Sequence, residues 1–178
     1  TPSCPIESSY NIIIVEPSDV KPIDITVCDQ FTLPSTIFGL RYFTLPGGPS
    51  GGGTELSSGS TITTPGITTI YTYFTSTDIA NPCILEGQFN ITITITPTIS
   101  PKTNVFACGS YNLSPLPVGN YYTFDSTTGL YTPAISPITT TTRLYVFATN
   151  GICRTPDTIF TVYINNLGLT DVNECVSY

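Results

Sequence analysis

The chain has 178 residues, carries a net charge of −7 with only 10% charged residues, and contains no His, Met or Trp. Five scattered Lys and Arg make no basic stripe for a nucleic acid, and the absence of His removes Ser-His-Asp and Cys-His catalytic arrangements. The longest aliphatic run, Ile12–Val15, is far short of the roughly 20 residues that cross a bilayer.

Strand signals dominate from the start of the chain. Residues 1–16 carry Cys4, then Tyr10 opening an apolar run, and read as the last strand of a preceding module. Pro17 and Pro22 bracket a linker over 17–23. Residues 24–96 form a first module, beginning with Ile25–Cys28–Phe31 and continuing through Tyr42-Phe43-Thr44. The Gly-rich stretch Gly47–Gly53 reads as a flexible surface turn; without a following Lys-Ser/Thr it is no phosphate loop. Ile70-Tyr71-Thr72-Tyr73-Phe74-Thr75 and Ile91-Thr92-Ile93-Thr94-Ile95-Thr96 alternate with the period of two that a pleated, half-buried surface requires.

A second Pro-containing linker, 97–103, leads into a second module, 104–165, in which the same signals recur. Val105–Cys108–Tyr111 matches Ile25–Cys28–Phe31, and Tyr121-Tyr122-Thr123 matches Tyr42-Phe43-Thr44. Leu144-Tyr145-Val146-Phe147 matches Ile70-Tyr71-Thr72-Tyr73, and Phe160-Thr161-Val162 matches Phe89-Asn90-Ile91. Residues 166–178, with Val172–Cys175–Tyr178, read as a linker and the first strand of a following module, so the chain reads as an excerpt from a longer array. Any export signal is expected to have been removed or to lie in a longer precursor. Sixteen Pro and fourteen Gly punctuate the strands at the rhythm of an all-β sandwich, and no helix longer than a turn is expected.

Six Cys in modules this small predict disulfides and an oxidising, extracellular setting. Two pairings compete. In one, each module closes on itself through Cys28–Cys83 and Cys108–Cys153, leaving Cys4 and Cys175 for neighbours. In the other, the joints are stapled through Cys4–Cys28, Cys83–Cys108 and Cys153–Cys175. Self-closure is favoured, because a Cys on the first strand and one before the last strand are expected near the same end of a sandwich. Closing such a loop is worth roughly 4 kcal/mol in the chain-entropy model.

No catalytic group, resident cofactor or metal is expected. A Ca²⁺ ion at a module joint, between Glu16/Asp19 and Asp24/Asp29, is the one cation reading, against ordinary turn acids. The Tyr-rich strands (Tyr42, Tyr71, Tyr73, Tyr121, Tyr122, Tyr145, Tyr163) suit core packing first and stacking on surface glycans second. Asn90-Ile91-Thr92 and Asn112-Leu113-Ser114 are N-glycosylation sequons. The expected partners are neighbouring modules of the same chain, adjacent subunits joined by strand addition, or glycans.

The order Cys28-Asp29-Gln30-Phe31-Thr32-Leu33-Pro34, then Tyr42-Phe43-Thr44, a Gly-rich turn before Gly53-Thr54-Glu55-Leu56, Ile70-Tyr71-Thr72-Tyr73, and Cys83 before Phe89-Asn90-Ile91-Thr92-Ile93 resembles tandem surface repeats of gliding Bacteroidetes. Those belong to long adhesins and gliding-motility proteins exported by the type IX secretion system. The resemblance covers nearly the whole chain, but the second module departs from it with Gly109 in place of Asp29 and no Gly-rich turn. It implies tandem small Ig-like β-sandwich modules in an extended array, export to the cell surface, and an adhesive or spacer role. It also implies a glycosylation pattern matched by Asp125-Ser126-Thr127 and Asp157-Thr158-Ile159, with Ser126 and Thr158 as acceptors.

Overall fold

A computed structural model describes residues 21–36, 39–76 and 82–165. The chain divides into two compact units, Thr1–Ile93 and Thr94–Tyr178. Apart from the 3-10 turn Gly48–Ser50, every regular element among the described residues is a strand.

In the first unit, β1 (Ile25–Cys28), β7 (Ile84–Thr94), β6 (Gly66–Thr75), β3 (Arg41–Phe43) and β4 (Glu55–Leu56) lie in that order in one sheet. Facing it is a small sheet of β2 (Phe31–Thr32) and β5 (Thr61–Ile62), with Phe31 opposite Ile62. The long β6–β7 hairpin pairs ten residues on each side and sets Ile70 opposite Phe89. Its alternating Ile/Thr and Tyr/Thr pattern sends Ile70, Phe89, Ile91 and Ile93 inward, where Leu33 and Tyr42 complete the buried cluster.

The second unit repeats this plan. Its sheet runs β10 (Leu130–Pro133), β9 (Asn120–Asp125), β11 (Thr142–Phe147), β14 (Thr158–Asn165), β8 (Val105–Cys108). The Tyr111–Ile138 bridge stands where β2 and β5 pair in the first unit. Its core of Leu144, Val146, Phe160, Val162 and Ile138, with Tyr121 and Leu113 packed against it, matches the first core at most positions, with Val146 standing where the first has buried Thr72. β3, β4, β6 and β7 pair antiparallel in the first sheet, as β9, β10, β11 and β14 do in the second. At the second sheet's edge β8 runs parallel to β14, with Val105 opposite Val162 and Cys108 opposite Asn165. A first strand that joins the last strand in an otherwise antiparallel sheet, over a second sheet, is an Ig-like sandwich arrangement. β12 (Thr149–Asn150) and β13 (Cys153–Arg154) form a short ribbon before β14.

Two sequence expectations change here. Gly47–Gly53 is a packed cover rather than a loose turn: Gly48 is buried, and a Cβ on it would stand 2.2 Å from the Tyr73 ring. A Cβ on Gly51 would stand 1.8 Å from the Pro46 carbonyl oxygen. The second change concerns sulfur. The first strand runs with the last one, so Cys108 stands where β14 ends, while Cys153 lies before β14 begins. Seven strand steps of about 3.3 Å separate the two ends of β14, roughly 23 Å, whereas a disulfide needs Cα atoms within about 7 Å. Self-closure through Cys108–Cys153 is therefore excluded. Cys83 is an exposed free thiol, so neither Cys28–Cys83 nor Cys83–Cys108 is formed. Cys28, Cys108 and Cys153 are disulfide-bonded.

Candidate functional site

The core-facing residues of the two sandwiches match; their outward faces do not. In β7 the outward positions are Glu86, Gln88, Asn90 and Thr92, and in β1 the exposed one is Thr26. The equivalent positions of the second unit are Ile159, Thr161 and Tyr163 in β14 and Phe106 in β8. The equivalence is fixed by a shared hydrogen bond: Asn90 N donates to Asp24 Oδ1 (2.7 Å) and Thr161 N donates to Asn104 Oδ1 (2.8 Å). A polar edge in one module is thus an aromatic edge in the other.

Phe106 is 78% exposed and lies parallel to Tyr163, 40% exposed, with ring centroids 4.8 Å apart, the spacing of neighbouring strands. Ile159 and Phe124 are also exposed on this sheet. Further across, Tyr122 stacks on Phe147 at 4.0 Å, and the Arg154 guanidinium caps Phe147 at 3.7 Å and reaches over Tyr131 at 5.1 Å. Tyr131 donates its hydroxyl to Asp157, which also accepts from Arg154 at 2.5 Å. That hydrogen bond, ahead of burial and the nearby carboxylate charge, holds the Tyr131 phenol above its ordinary pKa, so it remains a donor at neutral pH. Ring pairs and an Arg cap of this kind contribute about 0.5–1.5 kcal/mol each, enough to fix the rings in place before any partner arrives. In the first unit the corresponding pair, Phe43 and Tyr73, has its own Arg cap in Arg41 and lies under the Gly48 cover, leaving Phe43 buried.

The Tyr residues singled out in the sequence split accordingly. Tyr42 is buried and Tyr121 packs half-buried against Phe160, so these two belong to the cores. Burial pushes both phenols up. Tyr71, Tyr73, Tyr122 and Tyr145 are half-buried on outward faces, and Tyr163 is exposed. The sequence reading did not mention Phe106, Phe124, Tyr131 or Arg154, and named Phe147 only in the repeat match and Asp157 only in a glycosylation tripeptide. Strand parity could have found Phe106, because it alternates with Val105 and Ala107; Arg154 and Asp157 lie on a connection whose course no periodicity predicts.

Asp24 and Asp29 stand at the two ends of β1, and the Asp24 carboxylate is already bonded to Asn90. Glu16 and Asp19 lie outside the described residues. Among the described residues no group of three or more Cys, Asp and Glu side chains comes together as a metal site. Ser126 sits exposed in the turn after β9, which Asp125 organises by accepting from Thr127 N (2.8 Å) and Thr128 Oγ1 (2.9 Å). Thr158 is half-buried in the ladder opposite Val146. The Asn90 side chain is engaged at both ends, by Asp24 and by Thr69, whereas Asn112 is exposed.

No family model and no curated protein matches the chain. Two solved structures resemble it at 9% identity: one described as the structural basis for Dscam isoform specificity, the other as Drosophila N-cadherin EC1-4. The first matches 85% of this chain and 45% of its own with a TM-score of 0.31; the second, 84% and 47% with a TM-score of 0.22. The chain thus spans about half the length of either. Superpositions this loose carry no functional argument, and the Ig-like assignment rests on strand order and the parallel edge.

Proposed function

We propose that the chain is a structural and adhesive segment of a long secreted surface filament, in which Ig-like modules serve as spacers and the outward face of the second module serves as an interaction surface. One observation carries this reading. Two sandwiches share strand order and core residues, yet at equivalent edge positions one shows Thr26, Gln88 and Thr92 and the other Phe106, Ile159 and Tyr163. A repeated scaffold needs the core; nothing about the core needs the exposed rings, and contiguous exposed apolar surface marks a partner site. The oxidised cysteines support an extracellular setting, and the resemblance to surface repeats of gliding Bacteroidetes, with Ser126 as the more accessible glycan acceptor, fits the same role.

A second reading, glycan binding, is favoured by the exposure of the Phe106 ring, since sugar rings present apolar faces that stack on aromatics. Retention of the full chain on polysaccharide-coated and alkyl-coated sensor surfaces tests both readings. The Phe106→Ser/Tyr163→Ser double variant is expected to lose retention several-fold while melting within a few degrees of the parent. Retention on polysaccharide alone selects the glycan reading. If the parent adheres to no surface, or the double variant adheres equally, the adhesive role fails.

A further inference from the structure

We propose that Cys83 is a covalent docking point, whose thiol forms a disulfide with the first-strand cysteine of another module of this repeat, the position held here by Cys28 and Cys108. The proposal rests on the tandem-module reading and extends it to how modules are joined.

Cys83 occupies the same place in its sandwich as Cys153 does in the other. Ile70 faces Phe89 in one core and Leu144 faces Phe160 in the other. Six residues beyond Ile70, Ser76 donates its N–H to the Cys83 carbonyl (2.9 Å), and the Cys83 N–H donates to Ser76 Oγ (2.8 Å). Six residues beyond Leu144, Asn150 pairs with Cys153. Yet Cys153 is fully buried and disulfide-bonded, while Cys83 is exposed and free. One position, read twice in the same chain, is oxidised in one case and open in the other.

The missing partner is not Cys28, the other cysteine described in this sandwich, because Cys28 is already disulfide-bonded while Cys83 is free. Cys108 stands where the last strand leaves its module. Cys153 stands where the connecting chain enters: its Sγ lies 3.4 Å from the Thr94 carbonyl oxygen, and Asn150 Nδ2 donates to the Ile95 carbonyl (3.2 Å). First-strand cysteines therefore mark exit ends and hairpin cysteines mark entry ends. Joining the exit end of one copy to the entry end of another brings the two kinds together. The bond forms by exchange: the Cys83 thiolate attacks a first-strand sulfur already in a disulfide, that S–S bond breaks, and the displaced cysteine takes up the proton Cys83 lost. One disulfide is exchanged for another, so no outside oxidant is needed.

The test uses the full chain at high concentration, in oxygen-free buffer near the usual thiol pKa of about 8.5, read by non-reducing electrophoresis and mass-spectrometric peptide mapping. Covalent dimers and longer species linking Cys83 to Cys28 or Cys108 of a second copy are expected, collapsing on reduction and absent from Cys83→Ser. Cys83–Cys83 dimers alone would overturn the proposal. So would the absence of cross-links in a protein whose Cys83 reacts readily with a maleimide, or unchanged oligomers in Cys83→Ser. Loss of cross-linking with surface retention intact would sink this inference and leave the adhesive reading standing.

Discussion

Asp24 shows how a single side chain anchors a strand. Its carboxylate accepts from the Asn90 N–H and amide, and those bonds, with Lys21 nearby, hold its pKa below the ordinary 3.8. A depressed folded-state pKa means the stabilisation is complete above the ordinary value and is lost as pH falls through the folded one. Urea unfolding of the first unit at neutral pH and at pH near 3 should show a steeper acid loss in the parent than in Asp24→Asn, which starts lower and stays flatter. Parallel pH profiles would remove this role. Asp29 and Gly109 explain a mismatch between the repeats: both follow a first-strand Cys with positive φ, 64° and 73°. Gly takes that conformation freely, and Asp is among the few side-chain-bearing residues that visit it.

At the scale of elements, the Gly-rich insertion shows composition misleading a reader. Seven residues with five Gly suggest mobility; packed against Tyr73 they act as a lid over the outward pair Phe43–Tyr73. Gly48→Ala should cost about 1–3 kcal/mol for overpacking, because the added methyl meets the ring, on top of the strain of its own positive φ. Gly52→Ala, with positive φ but nothing within 4 Å, should cost only its backbone strain, about 1–2 kcal/mol or less. Denaturant midpoints compare the two; equal losses would mean the cover is not packed. The parallel pairing of β8 with β14 is the other decisive element-level feature. An antiparallel first strand would have placed Cys108 beside the start of β14 and made self-closure reasonable. The free N–H and C=O groups of an edge accept a neighbour running in either direction, and alternation of side chains is the same for both, so local sequence pattern does not choose between them.

For the molecule as a whole, stability among the described residues resides chiefly in two large clusters, one centred on Ile70, Phe89 and Ile91, the other on Leu144, Phe160 and Val162, with a small satellite of Leu40, Phe74 and Leu85 in the first unit. Ile91→Ala and Leu144→Ala should each cost about 2–5 kcal/mol. Hydrogen exchange should rise in β6–β7 for the first and in β11–β14 for the second; a rise spread over both sheets in either variant would contradict separate cores. Neither Cys28–Cys83 nor Cys108–Cys153 forms, so the expectation that these two staples hold the sandwiches together gives way, and the cores carry that load.

The sequence by itself determined the all-β class, the repeat and the alternating strands that carry Ile70, Ile91 and Ile93, because inward residues obey a period of two that is printed in the order of Ile, Thr and Tyr. It also placed Tyr42 and Tyr163 on strands without saying that one is buried and the other exposed. Only the tertiary structure decided which outward face is aromatic and open, that Gly47–Gly53 is a cover, and which cysteines can meet. Those outcomes depend on strand direction and on contacts between segments distant in the chain, for which local alternation holds no signal.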